Sequence, residues 1–165
     1  MSKDNVNKFN FRTDLADERT DIFKKNNNIS KDIEGIETNI KEEGNIKITD
    51  IKKLKVATDE EIENYGNVLS NELKKLIDKH TTKQDEILVV GLGNIYVTPD
   101  SLGPKVINEI DVTRHFINYM PQYVEEGTRM VSAISPGVLG TTGIETVEIL
   151  KGIVDNTKPK LIIVI

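Results

Sequence analysis

Apolar positions follow two different rhythms along the chain. In "TDEEIENYGNVLSNELKKLIDKH" the residues Ile62, Tyr65, Leu69, Leu73 and Leu76 recur at helical spacing, which predicts one long amphipathic helix. Thr58 and Glu61 stand three apart at its start, where each side chain can satisfy an orphan backbone donor as a capping box. Lys74, Lys75 and Lys79 lie toward its end, where the helix dipole favours cations. Beyond it the rhythm changes to short unbroken apolar runs. "EILVVG" (Glu86–Gly91), "RMVSAI" (Arg129–Ile134) and "KLIIVI" predict short strands, the first and third of them buried. Between them lie helical stretches, "GPKVINEI" with Pro104 in a first turn and "GIETVEILKGIVDNT" opened by a second capping box from Thr142 and Glu145. This alternation predicts an α/β fold with a mainly parallel sheet flanked by helices and right-handed crossovers.

Upstream the pattern weakens. "IETNIKEEGNIKITDIKKL" alternates loosely around Glu43-Gly44-Asn45, as a hairpin would. Residues 1–30 carry few apolar side chains and an Asn run at Asn26–Asn28, and read as a mobile leader before an α/β part spanning 31–165. The chain stops at Ile165 inside an apolar strand, so the expectation is a front part of a longer protein.

Composition narrows the chemistry. A net charge of -5 argues against direct nucleic-acid binding, which needs a basic surface. The absence of cysteine removes disulfides, thiolate catalysis and Cys-type zinc sites, and fits a reducing cytosol. Two histidines, His80 and His115, make a His-rich metal site a poor expectation, and no metal or cofactor is assigned. No apolar run approaches the roughly 18 residues of a membrane span, and "MSKDNVNKFN" does not fit a signal peptide.

Two glycine-rich loops follow predicted strands, where sites lie in parallel sheets. "VVGLGNIYVTPDSLGP" (Val89–Pro104) does not complete the dinucleotide pattern, because Tyr96 stands where a third glycine is needed. Thr98-Pro99 instead fixes the approach to Asp100. A carboxylate there can serve as general base or metal ligand, or it can simply cap the following helix. "SPGVLGTTG" lacks the spacing and the lysine of a phosphate loop. It is either a tight loop with a helix cap or a nest of N–H groups near a reacting carbonyl, with Ser135, Gly137, Gly140, Thr141 and Gly143 as site-lining candidates. Arg114-His115 is either a site pair or part of a solvated helix.

Several of these segments, in this order, resemble the germination proteases of endospore-forming bacteria. They are "RTDLA", "VVGLGN…VTPDSLGP", "VTRH", the run from "VEEG" through "VSAISPGV" to "TGIET", and "KP" before the last apolar run. The resemblance is dense from Ile87 to Ile165 and returns at Phe11–Glu18. Residues 30–80 match poorly, since the family has a longer segment there with a Gly-Arg-Tyr motif. The resemblance implies an atypical aspartic endopeptidase that degrades small acid-soluble spore proteins during germination. It further implies a zymogen, a homo-tetramer when full length, residence in the forespore or spore core, and a fold like that of the hydrogenase-maturation proteases. Asp100 matches the family's first catalytic aspartate, and the second follows directly after the strand "LIIVI". Alone, this chain is then expected to be inactive. The alternatives are a metal-dependent maturation-type peptidase with Asp100 as a ligand, or a non-catalytic binding fragment. Peptidyl-tRNA hydrolases share "GLGN" but need an early histidine and a basic face, and neither is present.

The resemblance also implies propeptide cleavage at Asp14–Leu15. "TDLADE" is similar to the Thr-Glu-(apolar)-Ala-Ser-Glu sites cut in spore proteins, so residues 1–14 are expected to approach the cleft as a built-in substrate mimic. Leu15→Asp in the full-length protein should then block maturation in a processing assay, and unchanged processing would contradict the expectation.

Overall fold

The computed structural model describes residues 29–33, 36–43, 46–51 and 54–165. The segment 1–14 and the pair Asp14–Leu15 lie outside them. The chain divides into two compact units, Met1–Leu69 and Ser70–Ile165.

The first unit contains an antiparallel sheet of β1 (Ile29–Ile33), β2 (Ile36–Glu43) and β3 (Ile46–Ile51), ordered β1-β2-β3. Strands β2 and β3 close on the pair Glu43↔Ile46, a hairpin register. Strand β1 was not expected, since Ile29 and Ser30 fall within the predicted leader; it pairs along β2 from Ile33↔Ile36 to Ile29↔Ile40.

Helix α1 (Asp59–His80) begins at the expected capping box. The Thr58 N–H donates to Glu61 Oε2 at 2.7 Å, and the Glu61 N–H donates to Thr58 Oγ1 at 3.3 Å. Its buried positions are Tyr65, Val68 and Glu72, at steps of three and four. Of the predicted apolar stripe, Ile62, Leu69, Leu73 and Leu76 stay 40–54% exposed.

The second unit is built on a parallel sheet ordered β5-β4-β6, from β4 (Ile87–Val90), β5 (Val131–Ile134) and β6 (Leu161–Val164). This α/β arrangement is the predicted one. Central β4 is the strand whose four residues are all buried, with Leu88 at 1% and Val90 at 0% exposure. Each fully buried side chain of that size contributes about 1.5–3 kcal/mol. Strand β6 is not buried as expected. It is an edge strand, so Ile162 and Val164 on one side of its pleat stay exposed.

Helices α2 (Leu102–Asn108) and α3 (Arg114–Tyr119) lie between β4 and β5. Pro104 is in the first turn of α2, as its fixed φ and missing N–H favour. Helices α4 (Leu139–Thr142) and α5 (Thr146–Thr157) lie between β5 and β6. The capping box expected from Thr142 and Glu145 does not form. Thr142 ends α4, Gly143 turns the chain through φ 70°, and Glu145 precedes α5 without a capping side-chain bond. The Thr142 hydroxyl is engaged locally instead, accepting from the Ile144 N–H at 3.2 Å.

Polar side chains fasten the amino ends of this sheet. Glu86, just before β4, forms an ion pair with Arg114 Nε at 2.8 Å and accepts from the Ser132 hydroxyl at 2.8 Å. Arg129, just before β5, donates to Thr81 Oγ1, to the Thr82 carbonyl and to Asp78 Oδ1 at 2.8, 2.6 and 3.3 Å. Asp85 accepts from the Thr82 N–H at 2.7 Å, and that bond is the main reason its carboxyl is held below the usual carboxylate range. The carboxyl ends carry the glycine loops. No helix of the described residues is long and apolar enough to cross a membrane.

Candidate active site

The ladder of β4 runs one step past the strand. Gly91 donates to the Ile134 carbonyl at 2.9 Å, and Leu92 donates to the Ile165 carbonyl at 2.8 Å. The chain then folds back so closely that a Cβ on Gly91 would fall on the Gly103 carbonyl oxygen and 2.5 Å from Ile107 Cγ1. A Cβ on Gly103 would in turn lie 2.7 Å from the Ile165 carbonyl oxygen. Only two residues without side chains permit this approach.

Gly93 makes the next turn at φ +121°, a conformation L side chains rarely adopt. Its missing Cβ position is filled by the carbonyl oxygen of Asp100. Asp100 ends a short 3-10 turn, Thr98–Asp100, with Pro99 inside it. The Asn94 N–H donates both to the Asp100 carbonyl at 3.0 Å and to carboxylate Oδ2 at 2.8 Å. The carboxylate is thus aimed backward onto the glycine loop and stays exposed. It does not cap the following helix: Ser101 holds that position, with no side-chain cap bond.

A cleft of about 240 Å³ opens between the two glycine-rich loops. The first loop contributes residues 93–96, and α2 contributes Pro104 and Asn108. The second contributes Ser135, Gly137 and Thr141. Of the site residues expected from the sequence, these last three line the cleft together. Gly140 and Gly143 do not line it, and Asp100 stands one hydrogen bond behind its wall, through Asn94. Arg114 is engaged with Glu86 at the opposite end of the sheet, and His115 packs its ring on Phe116 with centroids 4.0 Å apart. Neither residue lines the cleft. Sequence reasoning missed Asn94 and Asn108. Asn94 was visible as the last letter of "GLGN", but nothing marks Asn108, the final residue of α2.

Chemically, the arrangement offers one fixed carboxylate beside a cleft of neutral groups. Among the described residues no cluster of three or more His, Asp or Glu side chains is placed to hold a metal ion. If Gly93 sets the carboxylate, Gly93→Ala should cost about 2–3 kcal/mol in urea unfolding, from strain and collision with Asp100. Exchange of the Asn94 amide should accelerate with it. An unchanged midpoint and unchanged protection would contradict this geometry.

Comparison with known proteins gives one consistent result. The family model for germination protease matches residues 14–165. A germination protease of Clostridium acetobutylicum is 50% identical over 128 residues, covering 76% of this chain and 38% of that protein. One from Caldanaerobacter subterraneus is 41% identical over 179 residues, covering 93% of this chain and 52% of that protein. One from Bacillus cereus is 37% identical over 183 residues, covering 97% and 50%. The chain thus spans about half the length of the curated relatives it matches, or less. The match takes in both glycine-rich loops, Asp100 and all three strands of the parallel sheet. On this evidence, the chain belongs to the germination protease family.

Proposed function

We propose that this chain is the front segment of an endopeptidase that cleaves small acid-soluble spore proteins during spore germination, with Asp100 as one of two catalytic carboxylates. The observation that carries the proposal is the placement of Asp100. It is held by the Asn94 N–H at the carboxyl end of the buried central strand, beside a cleft at which two loops meet. Parallel sheets place their sites at such ends.

The chemistry requires a pair. Two carboxyl groups close together resist double ionisation, so one keeps a proton. The ionised member takes a proton from a water molecule, whose oxygen attacks the scissile carbonyl carbon. The protonated member gives its proton to the carbonyl oxygen. Collapse of the resulting diol, with proton transfer to the amide nitrogen, breaks the C–N bond. The second aspartate in the family follows directly after the strand that β6 represents. Support comes from the end of β6, where the Ile165 carbonyl accepts from the Leu92 N–H and borders Gly103, three positions from Asp100. A segment with Asp100 alone provides half of this pair and should not hydrolyse substrate. Processing at Asp14–Leu15, assembly as a homo-tetramer and residence in the spore core belong to the same proposal.

The test is Asp100→Asn in the full-length protein, assayed on a spore-protein substrate. Activity should fall by about 10²–10⁴-fold while the melting temperature stays close to that of the parent. A variant within tenfold of the parent overturns the assignment. A chelator should leave the parent enzyme active; loss of activity with chelator, restored by metal, would favour a metal-dependent peptidase instead.

A further inference from the structure

We infer that the cleft between the two glycine-rich loops is a side-chain subsite for an uncharged residue of the peptide, with Asn108 and Ser135 as its specificity-determining walls. This rests on the peptidase proposal above.

Three observations point there. First, no lining residue is charged, although charged residues make up 30% of the chain. An ionised side chain entering this space would lose water and find no opposite charge among the lining residues, which is costly. Second, the volume of about 240 Å³ is smaller than the roughly 300–1,000 Å³ of sites that enclose whole small molecules. It suits one side chain with its adjoining main chain.

Third, the polar groups of the cleft divide into spent and unspent. The Asn94 side-chain oxygen already accepts from the Tyr96 N–H at 3.0 Å. The Thr141 hydroxyl already donates to the Val138 carbonyl at 3.0 Å. The Asn108 amide and the Ser135 hydroxyl make no hydrogen bond within the described residues. They come from different elements, the last turn of α2 and the loop after β5. Between them they offer donors and acceptors to an incoming neutral group. Ile95, Tyr96 and Pro104 supply the apolar part of the lining. The subsite therefore accepts an uncharged side chain, polar or of modest apolar size, and discriminates against Lys, Arg, Asp and Glu.

The experiment uses the full-length peptidase and peptides that differ at one position near the scissile bond, bearing a neutral residue, Glu or Lys. At one such position the parent should prefer the neutral residue over both charged ones by about tenfold or more. Asn108→Asp should raise the Lys/Glu ratio of kcat/KM at that same position by about tenfold, and Asn108→Lys should lower it similarly, with the change mainly in KM. Ser135→Asp should shift the ratio in the same direction as Asn108→Asp. Damage to the fold lowers all substrates together and cannot move the ratio in opposite directions. Ratios that stay unchanged at every position, or move the same way for Asp and Lys, overturn the inference. Asp100→Asn acts on kcat for all peptides, so failure of the carboxylate assignment and failure of the subsite would be separately visible.

Discussion

The candidate site depends on one close contact between backbone segments. At the end of β4, Gly91 and Gly103 approach so tightly that neither position has room for a Cβ. That contact folds the loop after the strand back onto the first turn of α2. Everything between them, including the Gly93 turn, the Thr98–Asp100 turn and the Asn94 bond to the carboxylate, is confined to a span closed at both ends. The closure also reaches β6, because Leu92 donates to Ile165 and Ile165 lies against Gly103. A side chain at either glycine would separate the strand from the helix and release Asp100 from its place.

The sheet is polarised around that contact. Its amino ends are fastened by charged and hydroxyl groups: Glu86 with Arg114 and Ser132, Arg129 with Asp78 and Thr81, Asp85 with Thr82. Those bonds anchor the strands without occupying the carboxyl ends. Between the two ends runs β4, buried along all four residues. The strand order supports the same polarity. The chain passes from β4 to β5 on one side and then crosses to β6 on the other, so the carboxyl end of central β4 lies between its two neighbours. A fixed carboxylate at that point is well placed for chemistry, whereas one at the amino ends would be absorbed into the clamps.

Much of this was legible from residue patterns, for identifiable reasons. Strand β4 was visible because an unbroken "ILVV" run ending at glycine has few alternatives. The start of α1 was visible because Thr58 and Glu61 act locally and need no tertiary partner. Asp100 stood out because proline and glycine bracket it, but its hydrogen-bond partner was not legible. A helix cap was the simplest local use for the carboxylate, and the tight Gly93 turn gives it to Asn94 instead. Thr142 and Glu145 have the spacing of a capping box, yet Gly143 intervenes with a left-handed turn that ends one helix before the next begins. Strand β6 reads as buried by composition, while its exposure follows from its edge position, which composition does not encode. The role of Asn108 at the cleft depends on how α2 packs beside a loop some thirty residues away, and no local pattern carries that.

The central claim is that Asp100 is one member of a carboxylate pair whose other member follows β6. The most direct measurement is a crystal structure of the full-length protein, reading the separation between the Asp100 carboxylate and the nearest carboxylate that follows Ile165. The account predicts a second carboxylate within about 6 Å, close enough for the two to share a proton. A separation beyond about 10 Å, where solvent ions screen one charge from the other, would contradict it.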